Sequence, residues 1–172
     1  MRPKVLLILI PVVVISCKSY VDKTSTSTKN FSITPTETRN IFEFHSSTVE
    51  SRDNEVIHPA KFSLSLPIGI RSYGFTNLSS FGFYYDQKQV IFISTNDALS
   101  EVLEGEIEIN RIVDLVEKLP SGSGKFNISE IQPIGGRKHY LLKNFGGHIL
   151  LFNVKPNNLE SWKNLVSDIE YQ

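Results

Sequence analysis

A polar four-residue turn between two β-prone segments constrains the fold of this chain more than any other feature. Phe81, Phe83 and Tyr85 recur at every second position before the turn, and the mostly apolar run 90–95 follows it. A period of two places these three aromatic side chains on one face of an extended strand. The residues between the segments, 86–89, are all polar and typical of a tight turn. The pattern predicts an antiparallel hairpin with one buried face.

Two more strands are predicted before this hairpin. Residues 41–44 predict an edge strand, and residues 62–66 alternate strictly between apolar residues and serine. Strict alternation is typical of a strand with one face in the core. Pro67 and Gly69 should end or bend the second of these strands, because proline lacks a backbone donor and glycine has no side chain to pack.

A three-stranded meander is predicted for residues 126–154. The glycine pairs Gly135-Gly136 and Gly146-Gly147 divide this segment. Tight hairpin turns require positive φ angles, which glycine adopts without strain. Each pair is therefore expected to connect two antiparallel strands.

Two amphipathic helices complete the pattern. A middle helix over 110–119 is predicted from apolar residues at helical spacing, and Pro120 should close it. A terminal helix follows Asn157-Asn158, with one apolar stripe made of Leu159, Trp162, Leu165, Val166 and Ile169. The order of strands, a helix, strands and a helix predicts an α+β fold in which these helices pack on an antiparallel sheet.

The N-terminal segment carries a pattern that sets localisation. The sequence Val14-Ile15-Ser16-Cys17 follows an apolar run at 5–15 and a basic start. This resembles the lipobox of bacterial lipoprotein signal peptides, which implies removal of residues 1–16 and attachment of lipid to Cys17. The apolar run is shorter than the roughly 20 residues that a membrane-spanning helix needs. Because Cys17 is the only cysteine, no internal disulfide competes for it.

The residues after the lipobox predict a tether and a location. The segment 17–40 is rich in serine and threonine, which favours a flexible linker, and leaves 41–172 as one folded domain. Lys18 follows the cysteine, whereas aspartate there is the inner-membrane retention signal of enterobacteria. The expected location is therefore the bacterial envelope, with the outer membrane favoured over the inner.

Charge and motif spacing argue against several functions. The chain has 18 basic and 18 acidic residues, so no net field would attract nucleic acid. Its four histidines lack metal-ligand spacing. A hairpin at Gly146-Gly147 would bring His139 and His148 opposite each other, but two histidines make only half a metal site. We find no catalytic motif and expect no metal and no cofactor.

A candidate binding surface is predicted near the first hairpin. Alternation places Tyr84 on the face opposite Phe81, while Tyr73 and Phe75 are expected in the preceding loop beside Arg71. Exposed aromatic side chains next to an arginine are typical of protein recognition surfaces. The alternative is that these rings cover the end of the sheet.

The segment 61–69, followed by an aromatic hairpin, resembles the opening of PsbP-like domains. That family has a strand ending in a Leu-Pro-x-Gly-like turn, and it ends with a strand and an amphipathic helix, as 149–154 and 159–169 do here. Ile70 stands where the family has an aromatic residue. The resemblance implies the Mog1/PsbP-like fold and partner binding, and no functional residue is transferred by it.

These patterns together predict a lipid-anchored envelope protein with a non-enzymatic domain that binds another envelope protein. One alternative is an enzyme that uses His139 or His148 with a carboxylate. Another is an immunity or inhibitor lipoprotein, which the sequence does not separate from the first prediction.

Overall fold

Two antiparallel sheets and two helices make up the folded domain. The computed structural model describes residues 26–27, 30–45, 50–52, 55–57, 61–76, 80–95, 99, 101–119, 128–144 and 147–171. The strands are β1 Thr26–Ser27, β2 Phe31–Pro35, β3 Arg39–His45, β4 Glu50–Arg52, β5 Glu55–Ile57, β6 Lys61–Pro67, β7 Ser72–Thr76, β8 Ser80–Tyr84, β9 Val90–Ser94, β10 Gly105–Glu106, β11 Lys138–Asn144, β12 Gly147–Val154 and β13 Ile169–Tyr171. The helices are α1 Ile109–Lys118 and α2 Pro156–Val166. Neither helix is long and apolar enough to cross a bilayer, and none other within the described ranges is.

The first sheet keeps its strands in chain order, whereas the second sheet does not. The first sheet is β1-β2-β3-β6-β13, the second is β10-β11-β12-β9-β8-β7, and β4 and β5 form a separate pair. All of these neighbours are antiparallel. The α+β class with antiparallel sheets, a middle helix and a C-terminal helix is confirmed.

Phenylalanine rings fill the layer between the two sheets. Phe42 of β3 is fully buried, and its ring centroid lies 5.2 Å from that of Phe81 and 5.1 Å from that of Phe83, both on β8. On its own sheet it contacts Phe62 at 5.9 Å. These tilted and edge-on arrangements are the favoured ones for aromatic pairs. Because the rings come from β3, β6 and β8, their contacts hold the two sheets face to face.

The second sheet is buried on both faces. Its other face packs against α1 through Ile112, Val116 and the neighbouring Leu119. Every residue of β9, from Val90 to Ser94, is therefore buried. A strand covered on both sides shows a continuous apolar run in place of alternation, as the sequence of β9 does.

The first hairpin is confirmed in detail. β8 pairs with β9 from Ser80–Ser94 to Tyr84–Val90. Phe81, Phe83 and Tyr85 are all buried. The turn between them uses two left-handed residues, Gln87 with φ 59° and Lys88 with φ 60°.

The predicted domain boundary at residue 41 is wrong. β2 begins at Phe31, and Ile33 and Asn40 are fully buried, so this part of the predicted tether belongs to the first sheet. The predicted edge strand at 41–44 is instead the interior strand β3, paired with β2 on one side and β6 on the other. Burial of Phe31 and Ile33 against the phenylalanine layer offsets the entropy of ordering this polar segment. Residues 1–25, 28 and 29, which include the predicted signal peptide and the rest of the tether, lie outside the described residues.

The predicted meander contains two strands among its described residues. β11 and β12 form a hairpin, and the residues described before them at 128–137 form a short 3₁₀ turn and an irregular segment. Gly135-Gly136 makes a β-turn within that segment, because the N–H of Arg137 donates to the carbonyl of Ile134 at 3.1 Å. Gly147 is the first residue of β12 and pairs with Asn144.

The terminal helix is shorter than its apolar stripe predicts. α2 ends at Val166, and Ile169 begins β13, which pairs with β6 from Ile169–Leu64 to Tyr171–Phe62. Pairing with β6 provides main-chain hydrogen bonds to the otherwise open edge of the first sheet. These hydrogen bonds to a strand far away in the chain explain why Ile169 lies in a strand, although its spacing along the apolar stripe favours a helix.

We expect Gly136→Ala to lower the free energy of unfolding by about 1–2 kcal/mol, because Gly136 has φ +75° and a Cβ is strained in this region. Open space surrounds both turn glycines, with no atom within 4 Å of an added Cβ. Gly135→Ala is therefore the matched control, since Gly135 lies outside the left-handed region. It should change stability by no more than about 0.5 kcal/mol or raise it slightly. Urea unfolding of both variants checks this prediction, and equal losses would contradict it.

Candidate binding cleft

A cleft of about 610 Å³ lies where the end of β6, the β8–β9 turn and α2 meet. α2 packs against β6 of the first sheet and against β11 and β12 of the second, so it covers one end of the layer between the sheets. The volume falls in the range of about 300–1,000 Å³ that is usual for ligand pockets. We treat this cleft as the candidate site.

One face of α2 forms a wall of the cleft. Asn158, Ser161, Trp162 and Leu165 line it, and their spacing of three and four residues places them on one side of a helix. The helix begins with Pro156 at its first position, where the missing N–H costs nothing. Trp162 is only 6% exposed, so its indole packs in the core and also forms part of the cleft lining.

Aromatic contact and hydrogen bonds fix the opposite wall. The ring of Tyr85 lies 4.6 Å from that of Trp162, and its hydroxyl donates to the carbonyl oxygen of Pro67 at 3.2 Å. The same oxygen accepts a hydrogen bond from the side-chain amide of Asn40 at 3.1 Å. Two donors on one carbonyl tie the end of β6 to β3 and to the turn. Gly69 then takes φ +97°, which redirects the chain along the rim.

The ionic groups beside the cleft are bound to each other. Arg71 donates from Nε to Oδ1 of Asp86 at 2.8 Å and from Nη2 to Oδ2 at 2.7 Å. Paired, bidentate contacts of this kind are the strong form of an ion pair. Because the arginine side chain is 16% exposed and the aspartate side chain 44%, the pair lies at the surface edge of the core.

Gln89 connects the turn to α2. Its side-chain amide donates to the carbonyl of Asp86 at 3.1 Å, and its side-chain oxygen accepts from the N–H of Lys155 at 3.0 Å. Lys155 precedes the first residue of α2, so the helix start is bound to the β8–β9 turn. The walls of the cleft are therefore held in fixed relative positions before any ligand arrives.

The lining combines apolar surface with uncharged polar groups. Its apolar residues include Ile68, which is 55% exposed, and Leu165, which is half-buried. Thr38 and Ser161 supply hydroxyls, and Asn158 supplies an amide. This lining can bury an apolar group and hydrogen-bond to a neutral polar one.

The structure does not bring the predicted surface residues together as one exposed surface. Tyr73 lies in β7, and its ring packs 5.8 Å from that of Phe31 in the layer between the sheets. Tyr84 packs on the opposite face of the second sheet, with the core under α1. Arg71 is bound to Asp86 at the cleft. Phe75 belongs to β7, but its side chain, like Cys17, lies outside the described residues.

The predicted loop before the hairpin is in fact the edge strand β7, which pairs with β8 from Ser72–Tyr84 to Thr76–Ser80. Tyr73 on this strand consequently packs against the core. Sequence reasoning missed the cleft, although it predicts the apolar stripe of α2 and the end of β6 near Pro67. Predicting the cleft requires the position of α2 beside the β8–β9 turn, which local sequence patterns do not give.

His139 and His148 do not face each other. His148 pairs with Lys143 near the hairpin turn, whereas His139 lies at the other end of β11, next to Phe152 and Asn153. Within the described ranges, no group of three or more His, Cys, Asp or Glu residues is placed to hold a metal.

His139 belongs instead to a buried polar cluster. It is 2% exposed, and its Nδ1 accepts a hydrogen bond from the N–H of Asn153 at 3.3 Å. Asn153 has φ 56°, and its side chain holds the preceding loop by donating to the carbonyl of Gln132 and accepting from the N–H of Ile134. Burial lowers the pKa of His139 to about 4, against a smaller opposing effect of Glu106.

Acid should destabilise the domain through His139. The unfolded chain takes up a proton on this histidine near its ordinary pKa of about 6.5, while the folded chain does so only near 4. Stability is therefore greatest above about pH 6.5 and falls as the pH drops towards 4, by about 1–3 kcal/mol in total once solvent screening is allowed for. Denaturant unfolding measured across this pH range gives the slope.

The variant His139→Asn keeps an acceptor near the position of Nδ1 and removes the titration. We expect it to flatten the dependence of stability on pH between 6.5 and 4, whatever its effect at neutral pH. His45→Asn is the matched control, because it makes the same substitution at an exposed position on β3. An unaltered slope in His139→Asn would show that other groups cause the acid sensitivity.

Comparison with protein-family models, with curated proteins and with solved structures finds no match to this chain. The cleft is therefore interpreted from its own chemistry.

Proposed function

We propose that this chain is a lipid-anchored protein of the bacterial cell envelope whose folded domain binds a partner molecule in the cleft. The anchor rests on the sequence around Cys17, which combines a basic start, a short apolar run and a lipobox. Lys18 after the cysteine favours the outer membrane. The lipoprotein pathway adds more than one acyl chain, and two or more chains anchor a protein stably.

The start of the first sheet limits how far the domain can lie from such an anchor. β1 begins at Thr26, nine residues after Cys17. Fully extended, nine residues span at most about 30 Å. A domain anchored in this way works close to the membrane surface, nearer than a tether reaching residue 40 would hold it.

The observation that carries the binding role is the preformed cleft beside α2. Its walls are bound to each other through Gln89 and through the Tyr85–Trp162 contact. A rigid site loses little entropy on binding, which favours affinity. Binding is favoured over catalysis because Arg71 and Asp86, the ionic groups here, are committed to each other. An immunity or inhibitor lipoprotein would be one form of this role.

Replacing the cysteine tests the anchor. We expect the wild-type protein to fractionate with membranes and to carry an acylated N-terminal cysteine by mass spectrometry. Cys17→Ser should abolish both processing and acylation. Combining Cys17→Ser with Ser19→Cys restores a cysteine two positions away and should not restore lipid, because the lipobox spacing is lost. Processing and membrane retention of Cys17→Ser would refute the anchor.

Site-specific photo-cross-linking tests the cleft. A photoreactive amino acid in place of Ser161 lies in the cleft, whereas one in place of Glu160 lies on an exposed face of the same helix, where the side chain is 75% exposed. We expect a discrete cross-linked adduct in intact cells from position 161, at several times the yield at 160. Equal yields at the two positions would contradict binding in the cleft.

A further inference from the structure

We propose that the cleft takes an uncharged peptide segment in extended form and buries one aliphatic side chain beside α2. This assignment rests on the proposed function, since it names the class of partner for the same site. Three features of the cleft support it: the shape of the apolar surface, the type of polar group, and the pairing of the charged groups with each other.

The apolar surface suits an aliphatic side chain better than a flat ring. Trp162 and Tyr85 are each 6% exposed, and their rings are inclined at 51° to each other. Neither therefore offers an open aromatic face on which a sugar ring could stack. The lining instead includes the branched side chains of Ile68 and Leu165, against which another branched side chain can pack and lose its contact with water.

The polar groups match a peptide backbone. The side chains of Thr38 and Asn158 make no hydrogen bond within the described part of the chain, and Ser161 uses only its hydrogen, which it donates to the carbonyl of Asn158. An amide side chain both donates and accepts, as a backbone peptide unit does. These three residues can therefore pair with the N–H and C=O groups of an extended segment lying along α2.

The charged groups leave no counterpart for an ionic ligand. Both carboxylate oxygens of Asp86 accept hydrogen bonds from Arg71. A charged ligand group placed beside this ion pair would lose its water shell without gaining an oppositely charged partner in the cleft. This loss costs free energy. The side chain inserted beside α2 is accordingly neutral, and so are its neighbours in the segment.

Trp162 is the only tryptophan in the chain, so its fluorescence reports this cleft alone. The probe is acetyl-Ala-Leu-Ala-amide, compared with the same peptide carrying Lys or Glu in place of Leu and with the neutral disaccharide diacetylchitobiose. We expect a saturable change in emission with the leucine peptide. The two charged peptides should bind at least tenfold more weakly, and the disaccharide should give no saturable change.

A pair of adjacent asparagines supplies the variant and its control. Asn158→Ala removes the amide in the cleft and should weaken binding of the leucine peptide about fivefold, the effect of losing one hydrogen bond. Asn157 is exposed and is not part of the lining, so Asn157→Ala should bind as the wild type does. Matching urea midpoints for the two variants would show that both are folded.

Each other outcome overturns the assignment in an identifiable way. Tighter binding of diacetylchitobiose than of the leucine peptide would assign the cleft to carbohydrate. Equal affinity for the leucine and lysine peptides would remove the selection for a neutral side chain. Adducts at position 161 without any response to the leucine peptide would overturn this inference while leaving the proposed partner binding in place.

Discussion

The contact of the two sheets through phenylalanine rings is the constraint on which the rest of the structure depends. Phe42, from the interior strand β3, lies against Phe81 and Phe83 of the second sheet. Interiors pack as densely as organic crystals, so the positions of these rings fix the separation and alignment of the sheets. β2 is ordered for the same reason, because Phe31 and Ile33 complete the layer.

The cleft follows from how this layer ends. Beyond Phe83 the alternating face continues to Tyr85, whose ring packs on Trp162 of α2. Its hydroxyl needs a partner once buried, and the carbonyl of Pro67 provides one where β6 stops. At this end of the layer the core therefore contains polar groups as well as apolar side chains. The surface that stays open there can hold a ligand.

The sequence predicted the secondary-structure elements better than it predicted which elements lie next to each other. The hairpin of β8 and β9, α1, α2 and the end of β6 at Pro67 follow from local patterns of period and turn chemistry. The position of β3 inside the sheet, the strand β2 within a Ser/Thr-rich segment and the switch to β13 at Ile169 do not. Each of these depends on pairing or burial against residues far away in the chain, as when Ile169 pairs with Leu64.

The sequence by itself determined the α+β class, the main hairpin, both helices and the expectation of a lipid on Cys17, because these depend on nearby residues. Only the tertiary structure placed Tyr73 and Tyr84 on opposite faces of one sheet and joined α2, the β8–β9 turn and Pro67 into a cleft. The reason is physical: period and turn chemistry are encoded locally, whereas a concave site exists only where surfaces distant in the chain meet.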